Sequence, residues 1–313
     1  MRFTPKWKFD SALAAVIVVW FAGGRALFPR PDLSVFLTEA SGALAFLLLS
    51  AALALGPLSR LWRPATRFIY NRRHLGVTTW ALAAFHATLV LHYGVNWKPA
   101  NFFLTLPGER FLGVPFPLYG AAALAILTAM AVTSWDHFLH AWGPAAWKRL
   151  HMAVYVGYGL VVIHVLVRLA SEPGPLPLKL ATPFFLAVTS VVGLHLAAAL
   201  KEARADRASP AREDGLIALG DFSDLPEGAA RAVFAGVERI AVVRFQGQLY
   251  ALSNVCPHQN GPLGEGRVRD GYLECPWHGY QFDPRTGQSP PEFSDFVPTY
   301  AIVTLGDTTY LRQ

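Results

Sequence analysis

The sequence predicts a multi-domain protein: an all-α bundle of six transmembrane helices followed by a small all-β domain. Three observations predict it. Of 313 residues, 53% are hydrophobic and only 15% charged, and the mean hydropathy is +0.33, which ordinary soluble domains do not reach. The apolarity is uneven: long uncharged runs fill residues 11–200, whereas residues 216–313 read as short strands separated by turns. The only two cysteines of the chain each stand beside a histidine in that second part.

Apolar stretches about 20 residues long fall at 11–28, 33–56, 75–94, 116–134, 150–170 and 180–200. Five similar segments follow the first, so it reads as a span and not as a cleaved signal alone. Across six spans the cations segregate. Arg60, Arg63, Arg67, Arg72, Arg73, Lys148, Arg149 and Lys201 share a side with Arg2, Lys6 and Lys8, while Arg25, Arg30, Lys98, Arg110, Arg168 and Lys179 lie opposite. The positive-inside bias therefore predicts a multi-pass protein of the inner (cytoplasmic) membrane, with both termini and the β-domain cytoplasmic. The pI of about 9.4 follows from that topology, so the lipid bilayer is a partner and no nucleic acid is expected. The expected domains are 1–200 and 216–313. The linker 201–215 holds "KEARADRASPARED", a charged run with Pro210 and little to bury. No internal repeat is read beyond the similar helices, and no low-complexity tract.

The β-domain carries "NVCPHQNGPLGEG" at 254–266 and "ECPWHGYQFD" at 274–283. The ligand-type residues are Cys256, His258, Cys275 and His278, spaced Cys-x-His, sixteen residues, Cys-x-x-His. Two cysteines in a reducing compartment point to metal ligands or free thiols before a disulfide. A two-Cys, two-His set is compatible with a tetrahedral zinc site. A two-iron cluster suits it better, because each loop contributes one thiolate and one imidazole between stiffening prolines and glycines. Around the loops, "RIAVVRFQGQLYALSNV" reads as an alternating hairpin turning at Gln246-Gly247, and "YAIVTLGDTTYLR" as a closing one.

These loops resemble those of the Rieske family over roughly residues 216–313. The resemblance implies that Cys256 and Cys275 bind one iron of a [2Fe-2S] cluster, and that His258 and His278 bind the other, nearer solvent. Rieske proteins of respiratory complexes add a second cysteine to each loop and follow the last histidine with Gly-Ser-x-Tyr. Here Gln259 and Trp277 stand at the cysteine positions, and Tyr280 and Phe282 at those of Ser and Tyr. Fewer hydroxyl donors near the sulfurs leave a reduced cluster less stabilised, so a low potential is expected, as in the ferredoxins that serve ring-hydroxylating oxygenases.

Histidines within a bilayer are costly without a partner and so are functional candidates. His86 lies eleven residues into the third span and His164 fourteen into the fifth, which runs the same way, so the two reach similar depth. Two neutral imidazoles facing each other between helices are what a six-coordinate b-type haem needs, with hydrogen-bonded packing histidines as the alternative. His151 lies thirteen residues before His164, about 20 Å nearer the cytoplasm but on another side of an ideal helix.

The stretches "NRRHLG" at 71–76 and "AVTSWDHFLHAWGPAAWKRLHMAVYVGYGLVVIH" at 131–164 resemble the ferric-reductase-like transmembrane family, and within it the haem-bearing membrane subunit of the periplasmic methionine sulfoxide reductase system. The likeness covers roughly residues 40–200 and implies that His86, His151 and His164 are the haem-associated histidines. Eukaryotic ferric reductases and NADPH oxidases resemble this core but carry a further histidine fourteen residues before the one matching His86; here that position is Arg72. His195 or His74 would then partner His151, or a flavin or quinone would occupy the lower site against Arg72 and Arg73.

No glycine-rich dinucleotide fingerprint follows the spans; the cluster domain stands in that place. The expected function is transmembrane electron transfer, from a cytoplasmic redox partner through the [2Fe-2S] cluster and haem b toward a periplasmic reductase or a quinone. No residue is assigned a catalytic role, since the chemistry belongs to the cofactors. A membrane-anchored ferredoxin supplying an oxygenase and a haem-free redox sensor are the other readings. The chain lacks the two-His, one-carboxylate iron site of an oxygenase itself.

Overall fold

The computed structural model describes residues 6–27, 32–69, 71–104, 109–171, 178–207, 212–213, 216–235, 238–258 and 261–312. They form two compact units, Met1–Ala197 and Ala198–Gln313. The first is helical: α1 (Lys6–Leu27), α2 (Leu33–Leu61), the short α3 (Thr66–Ile69), α4 (Arg72–Leu89), α5 (Phe116–Val132), α6 (Asp136–His151), α7 (Val154–Ala170) and α8 (Leu178–Arg207), with a small hairpin of β1 (Arg110–Phe111) and β2 (Val114–Pro115) ahead of α5. The last helix continues to Arg207, into the charged segment after the apolar run.

Local chemistry sets several of these ends. Asp32 caps α2 by accepting from the Ser34 amide at 2.7 Å. Proline opens α5, where its missing N–H costs nothing. Hydroxyls inside the apolar helices are satisfied locally: those of Ser50, Thr79 and Thr128 each donate to the carbonyl four residues back.

Five helices among the described residues are long and apolar enough to cross a membrane: Trp7–Leu27, Leu33–Leu61, Arg72–Gly94, Arg149–Ala170 and Ala181–Lys201. The helix Phe116–Val132 is apolar but shorter, at 17 residues. Their apolar side chains face outward as well as inward. Val18 and Val19 on α1 are 65% and 68% exposed, a surface that water would penalise and lipid does not. The unit is therefore a membrane unit. Its interior gathers Phe46, Leu49, Leu53, Leu127, Tyr158 and Phe184 between α2, α5, α7 and α8.

Beyond the end of α8, the second unit is built of β-strands with one short 3-10 turn, Leu263–Glu265. Strands β3 (Arg212–Glu213) and β4 (Leu216–Gly220) join β12 (Ile302–Leu305) and β13 (Thr308–Arg312) in one sheet of order β12-β13-β4-β3. A second sheet has the order β11-β7-β6-β5, from β5 (Ala230–Ala235), β6 (Glu238–Phe245), β7 (Gln248–Ser253) and β11 (Thr299–Tyr300). A third, of β8 (Arg267–Arg269), β9 (Tyr272–Glu274) and β10 (Gln281–Phe282), carries one of the two ligand loops. The hairpin between β6 and β7 turns at Gln246 and Gly247, whose φ of 52° and 75° suit a tight left-handed turn. The Glu227 carboxylate accepts from both amides.

In β6 the expected alternation is replaced by four successive buried residues. Ile240 and Val242 enter a core with Ile217, Leu219, Phe222 and Leu311, while Ala241 and Val243 enter another with Leu252, Cys256, Leu273 and Cys275. A strand covered on both faces needs apolar residues at every position. The second of these cores is the floor of the ligand loops.

Candidate functional site

In the membrane unit, His86 of α4 points at α2, where Nδ1 lies 2.9 Å from the Thr38 carbonyl. Gly42, one turn along α2, makes the approach possible: a Cβ there would stand 2.9 Å from the imidazole. His164 of α7 repeats this against α5. Its Nδ1 lies 2.9 Å from the Phe116 carbonyl, and a Cβ on Gly120 would meet the ring at 2.9 Å. A carbonyl can only accept, so Nδ1 carries the proton in both rings and Nε2 keeps its lone pair, the tautomer of a metal ligand.

The two ring centroids are 6.3 Å apart with their planes at 86°. An imidazole nitrogen lies about 1 Å from its ring centre and about 2 Å from a metal it ligates, so two rings on opposite faces of one iron stand about 6 Å apart. The pair fits a six-coordinate haem iron.

The other membrane histidines are engaged elsewhere. The ring of His151 stacks on Trp147 at 3.8 Å, with Nε2 3.3 Å from the Thr133 hydroxyl. That hydroxyl donates to Ala129, and the Trp147 indole donates to the Thr133 carbonyl at 2.8 Å. His195 donates from Nδ1 to its own helix at Val191, and its Nε2 is 3.2 Å from the Tyr155 hydroxyl. His74 sits 2.7 Å from the Asp10 carboxylate. Neither contact sets His195 or His74 opposite His151.

In the β unit the two loops are built alike. The Cys256 amide donates to the Gly261 carbonyl at 3.0 Å and the Cys275 amide to the Tyr280 carbonyl at 2.7 Å, the same five-residue closure. Gly279 takes a φ of 76° at the end of the second loop. Asn254 anchors the first by accepting from the Gly264 amide at 2.6 Å. The loops press together so closely that a Cβ on Gly261 would stand 2.6 Å from the Cys275 sulfur.

Cys256 and Cys275 are each 1% exposed and neither forms a disulfide. The Cys256 thiol bonds to Cys275 and holds its thiol below the ordinary range; the amides of Trp277 and His278 add to this against the opposing effect of burial. The His258 and His278 rings lie 4.7 Å apart at 85°, with Tyr280 stacked flat on His258 at 4.1 Å. Thiol thus meets thiol, and imidazole meets imidazole. Among the described residues no three His, Cys, Asp or Glu side chains converge on one ion position, as a four-ligand zinc centre requires. A two-iron cluster takes two ligands per iron, and the paired donors fit it.

Sequence reasoning missed the ring-cradling Gly42 and Gly120, and the Trp147 stack. The identical spacing of Gly42 to His86 and of Gly120 to His164 is the signal that was there to find.

Opposed, half-buried imidazoles in membrane helices, joined in one chain to paired thiol and imidazole loops, define a membrane electron-transfer protein. Residues 41–162 match the ferric reductase like transmembrane component family, and residues 216–293 the Rieske [2Fe-2S] domain. The chain is 32% identical over 202 residues to the protein-methionine-sulfoxide reductase heme-binding subunit MsrQ of Deinococcus radiodurans, covering 64% of this chain and 90% of that protein. The MsrQ of Klebsiella pneumoniae subsp. pneumoniae is 34% identical over 178 residues, covering 53% of this chain and 82% of its own. The chain therefore belongs to the ferric-reductase-like transmembrane family that includes MsrQ, and carries a C-terminal Rieske domain.

That domain is 41% identical over 69 residues to the anthranilate 1,2-dioxygenase ferredoxin subunit of Burkholderia cepacia, a match spanning 22% of this chain and 64% of that subunit. Among solved structures, the ferredoxin of carbazole 1,9a-dioxygenase from Nocardioides aromaticivorans IC177 is 26% identical, covering 32% of this chain and 98% of that one at a TM-score of 0.30.

Proposed function

We propose that this chain passes single electrons across the inner membrane, between a cytoplasmic Rieske [2Fe-2S] cluster held by Cys256, His258, Cys275 and His278 and a b-type haem held by His86 and His164, toward a periplasmic reductase or a quinone. The observation that carries the reading is the opposed pair His86 and His164, each with its Nδ1 proton fixed on a neighbouring helix. When bound, both groups supply one-electron redox chemistry at neutral pH. The polypeptide's part is to fix the tautomers of His86 and His164 and to bury the thiols.

The topology is part of the proposal. His86 faces His164, and Trp80 and Tyr158 both precede them by six residues in contact with the same interior, which supports parallel α4 and α7. The chain between two parallel crossings must return once. At 17 residues α5 is about 25 Å long, so with modest thinning of a core about 30 Å thick it makes that return. Six crossings would return both termini to one side, and the segregation of Lys and Arg supports the cytoplasm as that side, with the Rieske domain on it.

A dithionite-reduced optical spectrum and low-temperature EPR of the full-length protein test the reading together. A sharp b-type α band and a reduced Rieske signal are expected. A Rieske signal without the band would favour a membrane-anchored ferredoxin, and neither signal would favour a sensor.

The cluster potential is expected toward the lower end of the Rieske span of roughly −150 to +300 mV, because Phe282 is a core residue without a hydroxyl and Tyr280 lies flat on His258. A redox titration gives the value directly. A midpoint well above about +200 mV would contradict this account of the loops.

A further inference from the structure

The two halves of the haem pocket correspond residue by residue at one constant register. Gly42 and Gly120 are 78 positions apart, as are Thr38 and Phe116, and His86 and His164. Each member of a pair does what its counterpart does: the glycine admits a ring, the carbonyl accepts a hydrogen bond from Nδ1, and Nε2 is left with its lone pair.

The register persists one layer nearer the start of α4 and α7. Ser50 and Thr128 correspond, and their hydroxyls donate to Phe46 and Leu124, again 78 positions apart, at 2.9 and 2.7 Å. With those protons committed, both hydroxyls act as acceptors. Ser50 accepts from the Tyr158 phenol at 3.1 Å, and Thr128 accepts from the Trp80 indole at 3.0 Å. Trp80 and Tyr158 are also 78 positions apart. The bonds therefore cross between halves, α4 to α5 and α7 to α2, and exchanging the halves turns one bond into the other. A two-fold operation has this property.

We infer that the membrane unit is a duplicated helix pair, α2 with α4 and α5 with α7, and that Trp80 and Tyr158 are positioning residues whose crossed hydrogen bonds hold the two imidazoles at the separation and angle seen here. This rests on reading His86 and His164 as axial ligands. Smooth apolar helix faces can rotate against each other at little cost in lipid, whereas a directed bond fixes rotation. Both bonds lie six residues, about 9 Å along the helix, from the histidines, close enough for a rotation of α4 or α7 to turn the rings.

The signature is spectroscopic. The His86 and His164 planes stand at 86°, and imidazoles held so on one haem iron would leave the two d orbitals that they address nearly equal in energy. The oxidised low-spin iron should then give a strongly anisotropic EPR signal dominated by one low-field feature, where parallel rings give an ordinary rhombic one. Trp80→Phe and Tyr158→Phe each remove one hydrogen bond but keep an aromatic ring. Each is expected to move the feature toward the rhombic signal with haem retained.

Ser50→Ala should match Tyr158→Phe without adding to it, while Trp80→Phe with Tyr158→Phe should go further than either alone. Should a phenylalanine variant lose its haem, Thr128→Ser against Thr128→Val decides: serine keeps the acceptor and the wild-type signal, and valine keeps only the shape. Wild-type protein without an α band would overturn the axial pair and the positioning role with it. A band that disappears in His86→Ala, beside an unmoved signal in the Trp80, Tyr158 and Thr128→Val variants, would overturn the positioning role alone, and a shift confined to one half would overturn the duplication.

Discussion

Replacing His86 or His164 with alanine is expected to abolish the b-type α band of the reduced protein, with bound haem falling at least about tenfold. The same change at His151, His195 or His74 should leave most of it. The contrast follows from the company each ring keeps. His86 and His164 donate hydrogen bonds from Nδ1 to carbonyls of neighbouring helices, and their ring centroids are 6.3 Å apart. His151 instead stacks on Trp147, His195 meets Tyr155, and His74 meets Asp10. Haem measured per polypeptide by extraction, alongside the optical band, reads the outcome. Equal loss in His151→Ala would mean a second axial site that this geometry does not foresee, and full retention in both His86→Ala and His164→Ala would remove the axial pair from the account.

The second large effect is at Gly261. A Cβ added there would meet the Cys275 sulfur at 2.6 Å and the Trp277 ring at 3.2 Å, inside a core with no slack. Gly261→Ala should therefore strip most of the cluster from the Rieske domain, since the sulfur must move, and overpacking of this kind also costs about 1–3 kcal/mol of stability. The comparison is Gly271→Ala in the turn before β9. Gly271 has a φ of 86° with open space around its Cβ position, so alanine there costs about 1–2 kcal/mol of backbone strain and touches no ligand. Iron content and the reduced EPR signal should fall in the first variant and persist in the second. Persistence in both would show that the loops have room the packing does not reveal.

What the sequence reveals here depends on whether chemistry or tertiary packing decides the matter. Cys256, His258, Cys275 and His278 are legible because their residue types and spacing name their own chemistry. His86 and His164 are legible because a buried imidazole in an apolar helix demands a partner. Gly42 and Gly120 are not, because a glycine in a membrane helix is unremarkable until the ring that fills its space is known. The duplication also escaped. Its identities, such as Gly42 with Gly120 and Leu82 with Leu160, are scattered through helices whose other residues are any apolar side chain that lipid tolerates. The contacts of His195 and His74 are made across helices, at positions that periodicity does not encode. The buried run at Ile240 to Val243 reads as an edge of alternation until sheets cover both its faces.

Under the proposed function, one polypeptide lets a cytoplasmic iron-sulfur cluster and a membrane haem exchange electrons. Rapid mixing of the oxidised full-length protein with less than one equivalent of reductant, followed by the haem α band and by freeze-quenched EPR of the cluster, reads that exchange. The account predicts that the reduced Rieske signal decays as the α band rises, at a rate independent of protein concentration. A cluster that stays reduced beside a haem that stays oxidised, with a periplasmic-type acceptor and a quinone both supplied, would contradict it.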